Sequence, residues 1–174
     1  SIDEIPEYLG KAFVAIEDER FYQHNGIDLQ GIIRAGVKGI TSGSFDEGAS
    51  TLTQQLLKNN VFIDFMEEKT FYDRLERKLQ EQLLAVEIEK QMSKDEILEA
   101  YMNTINLGQS CLGVQSASER YFGKDVSELT LSESALIAGI TQSPSGYDPI
   151  LHPEANRTRR EAVLDHMLDQ NYIT

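Results

Sequence analysis

An almost wholly α-helical domain is what this sequence predicts, on three observations. Apolar residues recur at about every 3.6 positions in several long stretches. Two stretches open with the Ser/Thr-x-x-Glu pattern that satisfies the first turn of a helix, Ser93 to Glu96 and Thr130 to Glu133. No alternating apolar–polar run is long enough for a strand, and no internal repeat is present. At 174 residues the chain suffices for one domain with a sizeable core.

Taken in order, the first helix is predicted over residues 5–18, with Pro6 suited to its first turn. Tyr8, Leu9, Ala12, Phe13, Ala15 and Ile16 give it a face to bury. A second helix over 28–40 follows from Leu29, Ile32, Ile33, Gly36, Val37 and Ile40. Thr41 to Ala49 (TSGSFDEGA) reads as a mobile loop. Ser50 is placed to cap a helix running to about Asn59. Residues 60–70 are irregular and carry Phe62, Ile63, Phe65 and Met66. Two readings of them stand open, a hairpin packed on the core and a membrane-touching flap.

The longest helix is predicted over 71–92, where Leu75, Leu79, Leu83 and Val86 form an apolar stripe. Ser93 then caps a helix through about Asn103, and Thr104 to Leu112 is a loop. Residues 113–122 make a short helix closed by Gly123. An apolar helix over 132–142, a turn-rich segment from Ser143 to Pro149, and an amphipathic helix over 153–170 complete the chain.

The formal net charge of −13 argues against a general nucleic-acid binder, so no nucleic-acid partner is expected. An anionic ligand would need a local basic island. The single cysteine, Cys111, excludes an internal disulfide and reads as a partly buried thiol; it leaves the compartment open. No stretch approaches the roughly 20 apolar residues of a membrane span, and no signal peptide is present. The abrupt polar start suits a domain separated from an anchor.

Four segments could carry chemistry. Glu17 to Gly26 (EDERFYQHNG) puts three carboxylates, an arginine, two aromatics and an imidazole where an apolar helix meets polar sequence. A carboxylate there can line a cleft and be tuned, or it can be an ordinary helix end. Gly48 to Asn59 (GASTLTQQLLKN) packs hydroxyls, amides and Lys58 into one helix start, which reads as a diphosphate cradle or as a polar helix face. Arg74, Arg77 and Lys78 form a basic island with Glu81 four residues beyond Arg77, or a solvated ion-pair face. Lys94 to Asn103 reads as structural, a capped helix whose Tyr101 and Asn103 brace neighbouring loops. His24, His152 and His166 lie too far apart for a zinc site, and no GxSxG elbow is present.

These segments, with RKLQE (77–81) and SALIAGITQSPSGYDP (134–149), closely resemble the five ordered motifs of the peptidoglycan glycosyltransferase domain of class A penicillin-binding proteins and monofunctional cell-wall glycosyltransferases. YFGK (121–124) and the pattern at Arg159, Arg160, Val163, Leu164 and Met167 fit as well, so the resemblance covers nearly the whole chain. It implies a mostly α, lysozyme-like fold with a globular head and a small membrane-facing jaw. It further implies one glycosyltransferase domain over 1–174, taken from a longer membrane-anchored protein at the extracytoplasmic face of the bacterial membrane. The implied reaction polymerises lipid II into β-1,4-linked glycan and releases undecaprenyl diphosphate. Implied partners are lipid II, the growing lipid-linked glycan, the membrane surface and a phosphoglycolipid inhibitor of the moenomycin type.

By the same resemblance, Glu17 is expected to be the general base and Glu81 the second essential carboxylate. Glu81 would hold the leaving diphosphate through a divalent cation, Mg2+ or Mn2+, or through its basic neighbours. Arg77, Lys78 and Lys58 would neutralise the diphosphate. Asp18, Phe21, His24, Ser50, Thr51, Gln54, Gln55 and Asn59 fall on further substrate-binding positions. The 106–113 loop departs from the usual aromatic-bearing version, and no substrate contact is assigned to it. Two other classes remain to be separated: a lysozyme-like glycan-cleaving enzyme, and a silent glycan-binding domain, which intact Glu17 and Glu81 disfavour.

Overall fold

Helix-capping chemistry sets the element boundaries. The computed structural model describes residues 1–42, 49–61 and 70–174, and leaves out the side chains of 38–42 and 71. The segment bearing Phe62, Ile63, Phe65 and Met66 lies outside the described residues, as does most of the expected 41–49 loop.

The helices are α1 (Glu7–Glu17), α2 (Leu29–Ser42), α3 (Leu52–Asn60), α4 (Phe71–Ile88), α5 (Lys94–Thr104), α6 (Val114–Phe122), α7 (Leu131–Ile140) and α8 (Pro153–Asp169). Short 3-10 turns occur at Ile2–Glu4 and Val126–Glu128. No strand is present among the described residues, only an isolated bridge between Asn106 and Leu112. The expected Ser93 and Thr130 capping boxes form, and Gly123 closes α6 in the left-handed conformation. α2 runs to Ser42, past the loop start expected at Thr41, and α4 stops at Ile88 rather than near 92.

The chain divides into two compact units, Ser1–Glu19 with Leu98–Thr174, and Arg20–Ile97. The first is built on α7, most of which is buried from Ser134 onward, and α1 and α8 pack against it. α8 approaches so closely that a Cβ on Gly139 would meet Arg159 Cγ at 3.1 Å. Leu9, Phe13, Tyr101, Ile137 and Met167 fill this core, with Phe13 and Tyr101 edge-to-face at 5.6 Å between ring centres. Cys111 is buried and unbridged, and burial pushes its thiol up from the ordinary value.

The second unit packs α3 on α4. Phe21, Leu52, Leu56, Leu57 and Ala85 are buried here, but so are His24, Thr51, Thr53, Gln54 and Glu81. So polar a core is stable only if its members satisfy one another, and they do so below. The expected apolar stripe of α4 forms but faces outward: Leu79 is 53 % and Leu83 71 % exposed. The α4 positions turned inward are Glu81 and Ala85.

Candidate active site

In the first unit, α1 ends at Glu17 because Asp18 leaves the helical region at φ −155°, while its N–H still reaches Val14 O at 3.0 Å. Asp18 is buried and Glu17 half-buried. Thr141, which caps the C-terminus of α7, donates its hydroxyl to Glu17 Oε1 at 2.5 Å. Burial first, and the charges of Glu17 and Asp18 second, hold the Tyr101 phenol well above its ordinary range, so it keeps its proton.

In the second unit, residues 20–28 form a locked turn. Arg20 pairs with Asp28 through Nε (3.2 Å) and Nη2 (2.5 Å). Burial alone would raise the Asp28 carboxyl; Arg20 and the Gly31 N–H outweigh it and hold the group below the usual range. His24 Nδ1 accepts the Gly26 N–H at 3.2 Å and lies 4.0 Å from Glu89 Oε1. Glu89 also binds Thr53 Oγ1 at 2.5 Å and Lys94 Nζ at 2.6 Å. Lys94 in turn lies 4.4 Å from the centre of the Phe21 ring. Lys94 is thus tied into this polar core.

Gly26 sits at φ +90° with its missing Cβ aimed at the backbone of Ala85, 2.6 Å away. Its carbonyl accepts from Thr51 Oγ1 (2.8 Å) and Gln54 Nε2 (3.2 Å). Thr51, not Ser50, is the N-cap of α3: its Oγ1 accepts the Gln54 N–H. Ser50 is left for another task. Lys78 Nζ binds Ser50 Oγ at 2.8 Å, Gln54 Oε1 at 3.2 Å and Glu81 Oε2 at 3.2 Å. Arg77 binds the other oxygen, Glu81 Oε1, as the i,i+4 spacing predicted. One buried carboxylate therefore orients two cations beside the start of α3, where backbone N–H groups already favour an anion.

Of the predicted site residues, Ser50, Thr51, Gln54, Arg77, Lys78 and Glu81 are brought together, and Phe21 and His24 build the turn beneath them. Lys58 and Asn59 are exposed on the last turn of α3, about two helical turns from Thr51, with Gln55 partly buried between. Arg74 is exposed one turn before the cluster. Thr141, Thr53 and Glu89 were not singled out from sequence: Thr141 and Glu17 are 124 residues apart, and no local spacing links them. A cavity of about 480 Å³ in the first unit, lined by Glu4, Asn103, Gln115 and Asp125 among others, contains none of the predicted site residues.

The donor set does not by itself fit a divalent cation. Both Glu81 oxygens are engaged by cationic side chains. Among the described residues no group of three or more His, Cys, Asp or Glu could hold an ion.

Residues 1–168 match the family model described as Transglycosylase, and the chain belongs to that family. It is 46 % identical over 174 residues to penicillin-binding protein 1F of Bacillus subtilis, covering 100 % of this chain and 23 % of the relative. It is 49 % identical over 173 residues to penicillin-binding protein 1A of Neisseria lactamica, covering 99 % and 21 %. The chain thus spans about a fifth of the length of these class A relatives. Penicillin-binding protein 1A of Haemophilus influenzae matches in structure with a TM-score of 0.56 and 27 % identity, over 100 % of this chain and 15 % of that one. The fold is therefore the transglycosylase fold, as the sequence resemblance implied.

Proposed function

We propose that this chain is an inverting peptidoglycan glycosyltransferase domain that polymerises lipid II at the extracytoplasmic membrane face. The observation that carries this reading is the Glu81-ordered pair Arg77 and Lys78, joined through Lys78 to Ser50 and Gln54 at the start of α3. A leaving diphosphate needs such donors where its charge develops. Hydrolysis of a glycosidic bond does not.

In the proposed reaction, the acceptor sugar's 4-hydroxyl oxygen attacks the donor's anomeric carbon while Glu17 takes the hydroxyl proton. The bond from that carbon to the α-linked diphosphate breaks, its electrons pass to the diphosphate oxygen, and undecaprenyl diphosphate leaves. One displacement from the opposite face gives the β-1,4 bond. Lys78, Arg77 and the α3 N–H groups receive the charge, and Glu81 keeps both cations in place. With both Glu81 oxygens held by Arg77 and Lys78, neutralising the diphosphate falls to those two side chains. A phosphoglycolipid of the moenomycin type would compete for the same cradle.

The membrane surface is the proposed support. Leu79 and Leu83 are joined along one side of α4 by exposed Tyr72 and Leu75, and α2 exposes Leu29, Ile33 and Val37 at helical spacing. No helix among the described residues is long and apolar enough to cross a membrane.

The test is product analysis with two substrates. Labelled lipid II should yield glycan ladders on a gel while isolated sacculi stay intact. Solubilised sacculi without ladders would instead identify a glycan-cleaving enzyme, and turnover of neither would identify a binding module.

A further inference from the structure

The Thr141 hydroxyl has two acceptors within reach and one proton. Glu17 Oε1 lies at 2.5 Å and the Ala138 carbonyl, one turn back on α7, at 2.8 Å. While Glu17 is a carboxylate it is the stronger acceptor, because the hydrogen bond is charge-assisted. Once Glu17 has taken a proton on its substrate-facing side, Oε1 remains a carbonyl-type acceptor for the hydroxyl, which can also turn to Ala138 O. The hydroxyl is satisfied before and after proton transfer, and the Glu17 side chain is held in one place throughout. α7 supplies a rigid mount, since Ala135, Ile137, Ala138 and Ile140 are all buried and α1 packs against it.

We propose that Thr141 is a positioning residue for the base Glu17, acting through its hydroxyl; this rests on the reading of Glu17 as the base. A base misplaced by a fraction of an ångström loses much of its effect although substrate still binds. Thr141 should therefore govern kcat and leave KM alone. Valine keeps the shape and removes only the hydroxyl, whereas serine keeps the hydroxyl.

The experiment is steady-state lipid II polymerisation by Thr141→Val, Thr141→Ser and Glu17→Gln, each checked by thermal melting. Thr141→Val should lose about tenfold to a hundredfold in kcat with KM within about twofold and an unchanged melting midpoint. Thr141→Ser should recover most of it. The proposal is overturned by near-normal kcat in Thr141→Val. It is equally overturned if Thr141→Ser falls as far as valine with a lowered melting midpoint, which is a packing role. Substantial polymerisation by Glu17→Gln would overturn the reading of Glu17 itself, a result distinct from either.

Discussion

Lys78 reaches from α4 to Ser50 at the start of α3, Nζ to Oγ 2.8 Å, and is steered there by the buried Glu81 carboxylate at 3.2 Å. Glu81 is only 1 % exposed, so it is committed to its two cations rather than to solvent. Breaking such a pair strands a charge, and the remaining cation loses its direction. Lys78→Met keeps the apolar stem and removes the charge. Polymerisation should fall about 10²–10³-fold, the usual effect of deleting one donor to a developing anion. Steady-state assay with lipid II, alongside circular dichroism to confirm the helices, checks this; full activity would remove Lys78 from the cradle.

Gly26 holds the turn against α4. An alanine there would combine left-handed strain of about 1–2 kcal/mol with a Cβ 2.6 Å from the Ala85 backbone. Gly26→Ala should lower the melting midpoint by several degrees and impair activity, because the displaced carbonyl also anchors Thr51 and Gln54. A melting curve that overlays the parent's would show that the turn has room to shift.

The Arg20–Asp28 pair gives a pH signature. Asp28 has its carboxyl depressed in the folded state, so its contribution is present above the ordinary aspartate value and is lost as pH falls through the folded value. Asp28→Asn should therefore lower the melting midpoint by a few degrees at neutral pH. The gap to the parent should close as pH falls below the ordinary aspartate value. A gap independent of pH would mean that the ion pair contributes nothing beyond packing.

The outward stripe of α4 predicts membrane contact. Leu79→Glu with Leu83→Glu should leave the fold intact and reduce co-sedimentation with anionic vesicles by severalfold. Unchanged sedimentation would assign the stripe to some other neighbour.

Much of the fold was legible because capping is local. Ser93 with Glu96 and Thr130 with Glu133 each announce a helix within four residues, and Arg77 with Glu81 is an i,i+4 pair. What was not legible depended on direction or distance. The period of Leu75, Leu79 and Leu83 gives a face without saying whether it turns inward. Ser50 and Thr51 are both good caps; Thr51 takes the role, and Ser50 meets Lys78, 28 residues away, instead. Thr141 and Glu89 meet their partners through tertiary packing, 124 and 36 residues away.

The most direct measurement is glycan-strand synthesis from labelled lipid II by the parent chain and by Glu17→Gln, both verified as folded. The parent should give a ladder of polymer with stoichiometric undecaprenyl diphosphate, and Glu17→Gln should give none. A ladder of ordinary length from Glu17→Gln, or none from the folded parent, would contradict the assignment of Glu17 as the base of a lipid-diphosphate glycosyltransferase.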